Sequence, residues 1–190
     1  RFRARHGRPV GAVAAPPAGL AAAIEAGLHG RRRRSLHFDL RGLTEFERAV
    51  LAKTAEIPAG QVRPYAWVAS EIGRPRAVRA VGSALAGNPV PLLIPCHRVV
   101  YSDGRVGMYA LGPENKRAAL TAEGVDPDEL ERLARAGVRV VGSDTTRVFC
   151  FPTCRHARRI TLAHRVEFGS PKTAAAAGYR PCRHCRPAAA

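Results

Sequence analysis

Lysine is scarce in this 190-residue chain: Lys53, Lys116 and Lys172 are the only three. Acidic residues are few as well, 15 against 31 basic ones, which leaves a formal charge of +16 carried almost wholly by arginine. An excess of that size says little about fold. It points to a polyanionic partner, nucleic acid first, because neutralising phosphates releases their counterions. A preference for arginine codons would account for Arg in place of Lys, but not for the shortage of Asp and Glu. Aromatic residues make up 6% of the chain, so its 46% hydrophobic content is mostly Ala, Val and Leu. No apolar run has the length of a membrane-spanning helix. No apolar segment follows the N-terminal arginines as a secretory signal would require. We therefore expect a monomeric, cytoplasmic, nucleoid-associated protein with no membrane partner.

Cysteine is also sparse, and its placement is informative: Cys96 stands alone, while four cysteines crowd the last 41 residues. In a chain expected to be cytosolic, that points to metal binding or catalysis before disulfides.

Residues 1–38 are rich in Arg, Ala, Gly and Pro and include the run Arg31-Arg32-Arg33-Arg34. Apart from one short helix over 20–28, they read as a tail or the remnant of a companion domain. The arginine run could touch DNA or simply be a solvated linker. Regular patterning starts near Leu36. Phe46, Val50 and Leu51 have helical spacing, with Thr44 as N-cap and Glu47 at the capping-box position. Pro58-Ala59-Gly60 ends that helix. A second helix is predicted over 65–72 and a third over 76–86, joined by the tight turn Gly73-Arg74-Pro75. Such a unit is either a DNA-reading helix-turn-helix, with Arg76 and Arg79 on the reading helix, or an ordinary helical hairpin. Further helices are predicted over 115–123 and 129–136. We expect a domain over 39–125, a charged linker over 126–147, and a cysteine-rich unit over 148–190 too small for a core of its own.

Cys96 is preceded by Pro95 and followed directly by His97 and Arg98. A free thiol has a pKa near 8.5, so a nucleophilic one needs a neighbouring base or positive charge. A Cys-His pair by itself does not mark a nucleophile, because a buried cysteine ordinarily packs as a small hydrophobe. The surroundings do. With Ile57-Pro58-Ala59-Gly60, Tyr65, Arg79-Ala80-Val81-Gly82, Asn88-Pro89, Ile94-Pro95-Cys96-His97-Arg98-Val99 and Glu123-Gly124, the chain over 39–125 resembles the O6-alkylguanine-DNA alkyltransferases.

That resemblance implies an α+β architecture with a small, helical, winged-helix-like DNA-binding domain. It implies single-turnover transfer of an alkyl group from O6-alkylguanine in double-stranded DNA to Cys96. His97 would take the thiol proton through a water, with Glu123 orienting the imidazole. Tyr65 would supply a hydrogen bond or proton to the leaving guanine, and Asn88 would be a hinge residue supporting the active-site loop. The base must leave the duplex to be reached. Arg79 would fill the gap it leaves, with Arg76 and Ala80 against the DNA and Tyr109 and Ala110 in the lid over the base. The lid departs from the family at Leu111, where glycine is usual and where a β-carbon would narrow the pocket. A non-catalytic, lesion-sensing DNA-binding protein is the alternative.

Cys150-x3-Cys154 and Cys182-x2-Cys185 form two close pairs. Four thiolates so arranged suit a tetrahedral Zn2+ site, whose metal would supply folding energy that so small a segment lacks; two disulfides are the alternative. The matching residues Phe149-Cys150-Phe151-Pro152-Thr153-Cys154 and Tyr179-Arg180-Pro181-Cys182-Arg183-His184-Cys185 resemble the zinc domain of the Ada-type repair proteins. That resemblance implies that Cys150 is both a zinc ligand and an acceptor of methyl groups from methylphosphotriesters, although Phe151 stands where that motif usually has Arg. A purely structural zinc module gripping DNA is the alternative.

Overall fold

The computed structural model describes residues 15–28 and 36–187, together with Gly7. The Arg31–Arg34 run lies outside the described residues. Helix α1 (Ala18–Leu28) covers the short helix expected in the N-terminal segment.

Helix α2 (Glu45–Ala55) begins where its capping chemistry places it. Thr44 accepts from the Glu47 backbone N–H, and the Glu47 carboxylate accepts from the Thr44 N–H at 2.8 Å. Its apolar side, Val50 and Leu51, is buried. Helix α3 (Tyr65–Glu71) buries Trp67, Val68 and Ala69. It stops at Gly73, whose φ of +71° lets the chain turn back so that the Arg74 N–H reaches the Ala69 carbonyl at 2.8 Å. Helix α4 (Val78–Ala86) starts two residues later than the sequence predicts, because Pro75 and Arg76 belong to the turn. It presents Val81, Ala84 and Leu85 to the core.

Two short strands, β1 (Arg63–Pro64) and β2 (Val99–Val100), pair in parallel and bring the Gly60–Arg63 loop beside the segment that carries Cys96. Helix α5 (Pro113–Ala122) returns across this segment and buries Lys116 and Leu120.

Residues 126–147, expected as a charged linker holding a helix over 129–136, contain that helix and a strand besides. Asp126 caps helix α6 (Pro127–Arg135), and strand β3 (Val140–Ser143) follows. The apolar residues Val138, Val140 and Val141 sit between charged stretches that mask them in the sequence. Strand β3 lies inside a four-stranded sheet of order β5-β3-β4-β6, with β4 (Val148–Cys150), β5 (Arg165–Phe168) and β6 (Arg180–Pro181). It pairs antiparallel with both β4 and β5, while β4 and β6 run parallel. A short helix α7 (Pro171–Ala176) packs against the sheet.

The cysteine-rich unit therefore has more of a frame than its last residues suggest, and it is not isolated. Val50, Trp67, Val81 and Val99 belong to one buried apolar cluster with Val141, Phe149, Phe151 and the four clustered cysteines. Burying that surface jointly favours a fixed arrangement of the two halves. Among the described residues, no helix is long and apolar enough to cross a membrane.

Candidate active site and metal centre

Cys96 opens a single 3-10 turn (Cys96–Arg98) at the end of a loop whose Leu92 adopts a φ of +72°, costly for a branched side chain. Asn88 holds this loop together. Its amide nitrogen donates to the Ile94 carbonyl at 2.8 Å and to the Cys96 sulfur at 3.1 Å, and its oxygen accepts from the Val90 N–H at 3.0 Å. All of these groups lie in the interior or at its edge, so each bond counts for more than in water.

His97 is buried, and its Nε2 lies 2.9 Å from Glu123 Oε1. An ionised carboxylate only accepts, so Nε2 carries the proton and the lone pair of the neutral ring is at Nδ1. Nδ1 is buried and makes no hydrogen bond among the described residues. Arg98, also buried, donates to both oxygens of Glu123 at 2.6 to 3.1 Å and to the Ile57 carbonyl at 2.6 Å. Burial would raise the Glu123 pKa. Hydrogen bonds from His97 and Arg98, and the positive charge of Arg98, outweigh it and bring the value from 4.5 to about 2. The Gly60 N–H adds a further bond to Glu123 Oε2 at 3.1 Å.

A cavity of about 230 Å³ opens onto Cys96 and is lined by Tyr65, Leu85, Met108, Tyr109 and Ala110 among others. Burial first, then Tyr101 and Cys96, push the Tyr65 hydroxyl up to about 12, so it stays protonated and able to donate at neutral pH. The Tyr109 ring meets the edge of His97 with centroids 6.5 Å apart. Leu111, expected to narrow the pocket, is 41% exposed and does not line the cavity; its φ is not in the left-handed region that would call for glycine.

Cys96, His97, Glu123, Asn88, Tyr65, Tyr109 and Ala110 thus come together. Arg76, Arg79 and Ala80 lie elsewhere, exposed on the turn and first residues of α4, and the two arginines make no ion pair among the described residues. The sequence motifs assign no part to Arg98 or Lys116. Lys116 is fully buried, and its ammonium donates to the Val99 carbonyl at 2.7 Å and to the Met108 carbonyl at 3.3 Å. Burial lowers its pKa to about 8, against the pull of Cys96. Its place four residues before Leu120 on the buried side of α5 is a signal that could have found it.

The second cluster is built from β4, the turn after it, and the turn after β6. The sulfurs of Cys150, Cys154, Cys182 and Cys185 are buried and lie within 4.8 Å of one another, with no disulfide between them. Hydrogen bonds from the Cys150 and Cys185 thiols, together with backbone N–H groups of His156 and Ala157, pull Cys154 toward its thiolate against the effect of burial. Their proximity pushes Cys150 the other way. Arg63 stands beside the cluster. It is 2% exposed, donates only to the Val62 carbonyl and Gln61, and leaves its Nε without a partner among the described residues. Its pKa is lowered by burial, which the four cysteines oppose. A buried cation with no carboxylate is costly unless an anion faces it. Four thiolates around a divalent ion carry that negative charge, so the donor set and its surroundings fit Zn2+. His156, His164 and His184 are exposed and outside the cluster.

Residues 45–125 match the family model described as the DNA-binding domain of 6-O-methylguanine DNA methyltransferase, and residues 131–188 match the metal-binding domain of Ada. The chain is 34% identical to Mycobacterium tuberculosis OGT, solved in complex with DNA, and covers 70% of it with 60% of its own length at a TM-score of 0.50. The chain belongs to the O6-methylguanine-DNA methyltransferase family. A second solved member of this methyltransferase family, from the archaeon Pyrococcus kodakaraensis, is 30% identical over 63% of this chain and 70% of its own, with a TM-score of 0.53. Methylated-DNA–protein-cysteine methyltransferases are 46% identical over 80 residues in Methanosarcina barkeri and 46% over 105 residues in Homo sapiens. These matches cover 42% and 55% of the chain, which spans about half the length of the curated relatives it matches.

Proposed function

We propose that this methyltransferase-family chain repairs alkylated DNA by accepting the alkyl group of O6-alkylguanine onto Cys96. The observation that carries the reading is the relay at the cavity: a buried thiol, a buried imidazole with its lone pair at Nδ1, and an ionised Glu123 fixing the other ring nitrogen. His97 Nδ1 takes the thiol proton through a water, and the imidazolium so formed faces the Glu123 carboxylate. The Cys96 sulfur then forms a C–S bond to the alkyl carbon as the C–O6 bond breaks. The electron pair leaves on guanine O6, where the protonated Tyr65 hydroxyl donates. Asn88 Nδ2, already on the sulfur, stabilises it as a thiolate. The thioether is stable, so each molecule reacts once. Arg76 and Arg79 meet the duplex from α4 and the turn before it, with Arg79 occupying the space of the extruded base.

The test is single-turnover incubation with a duplex carrying one O6-methylguanine. Guanine should be restored in proportion to protein added, and not at all by Cys96→Ser. Tight binding of the damaged duplex without restoration would make this a lesion-sensing protein.

A second reading concerns Cys150. A cleft of about 630 Å³ is lined by Cys150 and Cys182 together with Arg159, Arg180 and Arg183, a setting that draws a DNA backbone toward a sulfur. A bound Zn2+ would keep the thiolates deprotonated at neutral pH. In this reading the Cys150 sulfur forms a C–S bond to the methyl carbon of a backbone methylphosphotriester as the methyl C–O bond breaks, and the electron pair leaves on the phosphodiester oxygen. With Cys96→Ser protein and an oligonucleotide bearing one methylphosphotriester, the peptide containing Cys150 should gain one methyl group; an unmodified peptide leaves the unit a structural DNA grip.

A further inference from the structure

The metal-binding unit touches the alkyltransferase site from behind, at one loop. Its 3-10 turn (Ala157–Arg159) follows directly from the cysteine knuckle, with the Arg158 N–H bonded to the Cys154 carbonyl at 3.1 Å and Ala157 buried beneath. From this turn the Arg158 guanidinium reaches across and donates to the Gly60 carbonyl. The N–H of the same glycine donates to Glu123 Oε2, whose other oxygen holds His97. Two residues further on, the Val62 N–H donates to Thr153 Oγ1 at 2.9 Å, from the loop between Cys150 and Cys154. Arg63 then stacks on Phe151 at 5.3 Å beside the four sulfurs. The Gly60–Arg63 loop is thereby held on one side by the cysteine knuckle and bonded on the other to the acid of the relay.

The loop runs close against the Glu123 backbone. Gly60 has a φ of +73°, and a β-carbon there would lie 2.9 Å from the Glu123 carbonyl. Any shift of the Gly60 peptide is therefore felt by Glu123. Relays of this kind depend on a third group to orient the base, and small misplacements cost rate.

We propose that Arg158, presented by the metal knuckle, is a positioning residue for the Cys96–His97–Glu123 relay, which makes the metal unit part of the alkyl-transfer site. This rests on Cys96 being the nucleophile. Arg158 touches neither the cavity nor Cys96; it acts through the Gly60 peptide.

The full chain, loaded with Zn2+, is compared with Arg158→Met, which keeps the aliphatic stem, and Arg158→Lys, which keeps a donor. Three quantities are read: the methyl-transfer rate at saturating O6-methylguanine duplex, the Kd for that duplex, and the rate at which iodoacetamide labels Cys96 without DNA. For Arg158→Met we expect zinc content and Kd to be retained, while transfer slows roughly tenfold and labelling slows with it. Arg158→Lys should recover most of both rates. An unchanged rate in zinc-replete Arg158→Met, or a defect confined to Kd, overturns the proposal, the latter making Arg158 a DNA contact. If the parent chain transfers no methyl group, the function proposed above fails, and the labelling rates still decide this one: slower labelling in Arg158→Met supports it and equal labelling overturns it.

Discussion

Asn88 donates its side-chain amide to the sulfur of Cys96 at 3.1 Å while gripping the Ile94 carbonyl at 2.8 Å with the same nitrogen. The sequence suggests a hinge; the geometry adds a direct bond to the proposed acceptor sulfur. A donor aimed at the sulfur stabilises the thiolate that must form before attack. Asn88→Ala should therefore slow methyl transfer by about 100-fold with the duplex Kd little changed, measured by single-turnover kinetics at saturating DNA.

The relay acid yields a pH prediction for stability. The folded Glu123 carboxylate sits below its ordinary value of 4.5, at about 2. Its contribution is complete above pH 4.5 and is lost as pH falls toward about 2. A displacement of that size corresponds to about 3 kcal/mol. Urea unfolding of the parent and of Glu123→Gln should differ by about that amount at neutral pH, with the gap narrowing as the solution is acidified. A gap independent of pH would mean that the charge on Glu123 does not contribute.

Much of this site is legible in the amino-acid sequence. Thr44 and Glu47 mark the start of α2, and the spacing of Trp67, Val68 and Ile72 marks the helix that ends at the Gly73 turn. Motifs around Cys96 and the two cysteine pairs name the candidate acceptor and the candidate metal ligands. What escapes is long-range. Arg158 and Gly60 lie 98 residues apart, and nothing local shows that one meets the other. Arg63 and Arg98 read as two more arginines in a basic chain, although both are buried against groups from distant segments. The apolar run of β3 is hidden between charged stretches, so a central strand of the sheet reads as part of a linker.

The four-cysteine cluster makes a metal prediction. Metal analysis should find about one zinc per chain, lost in Cys182→Ser/Cys185→Ser. Because Trp67 and Val99 share a buried cluster with the cysteines, removal of the metal should lower the thermal stability of the whole chain, not only of its C-terminal part. Two separate unfolding transitions, with the first half unaffected by chelator, would contradict this.

The two arginines near α4 should separate by role. Arg76→Ala should lower the salt dependence of duplex binding by about one unit of log–log slope, the mark of one lost phosphate contact. Arg79→Ala should instead slow transfer at saturating duplex, because the base leaves the stack less readily without it. Identical behaviour of the two variants would remove the distinction.

The central claim is that Cys96 is the acceptor, and peptide mass spectrometry tests it most directly. After incubation with a duplex bearing one O6-methylguanine, the peptide containing Cys96 should gain a single methyl group, stoichiometric with lesion consumed and lost in Cys96→Ser. An unmodified Cys96 peptide in protein that binds the damaged duplex would contradict the account.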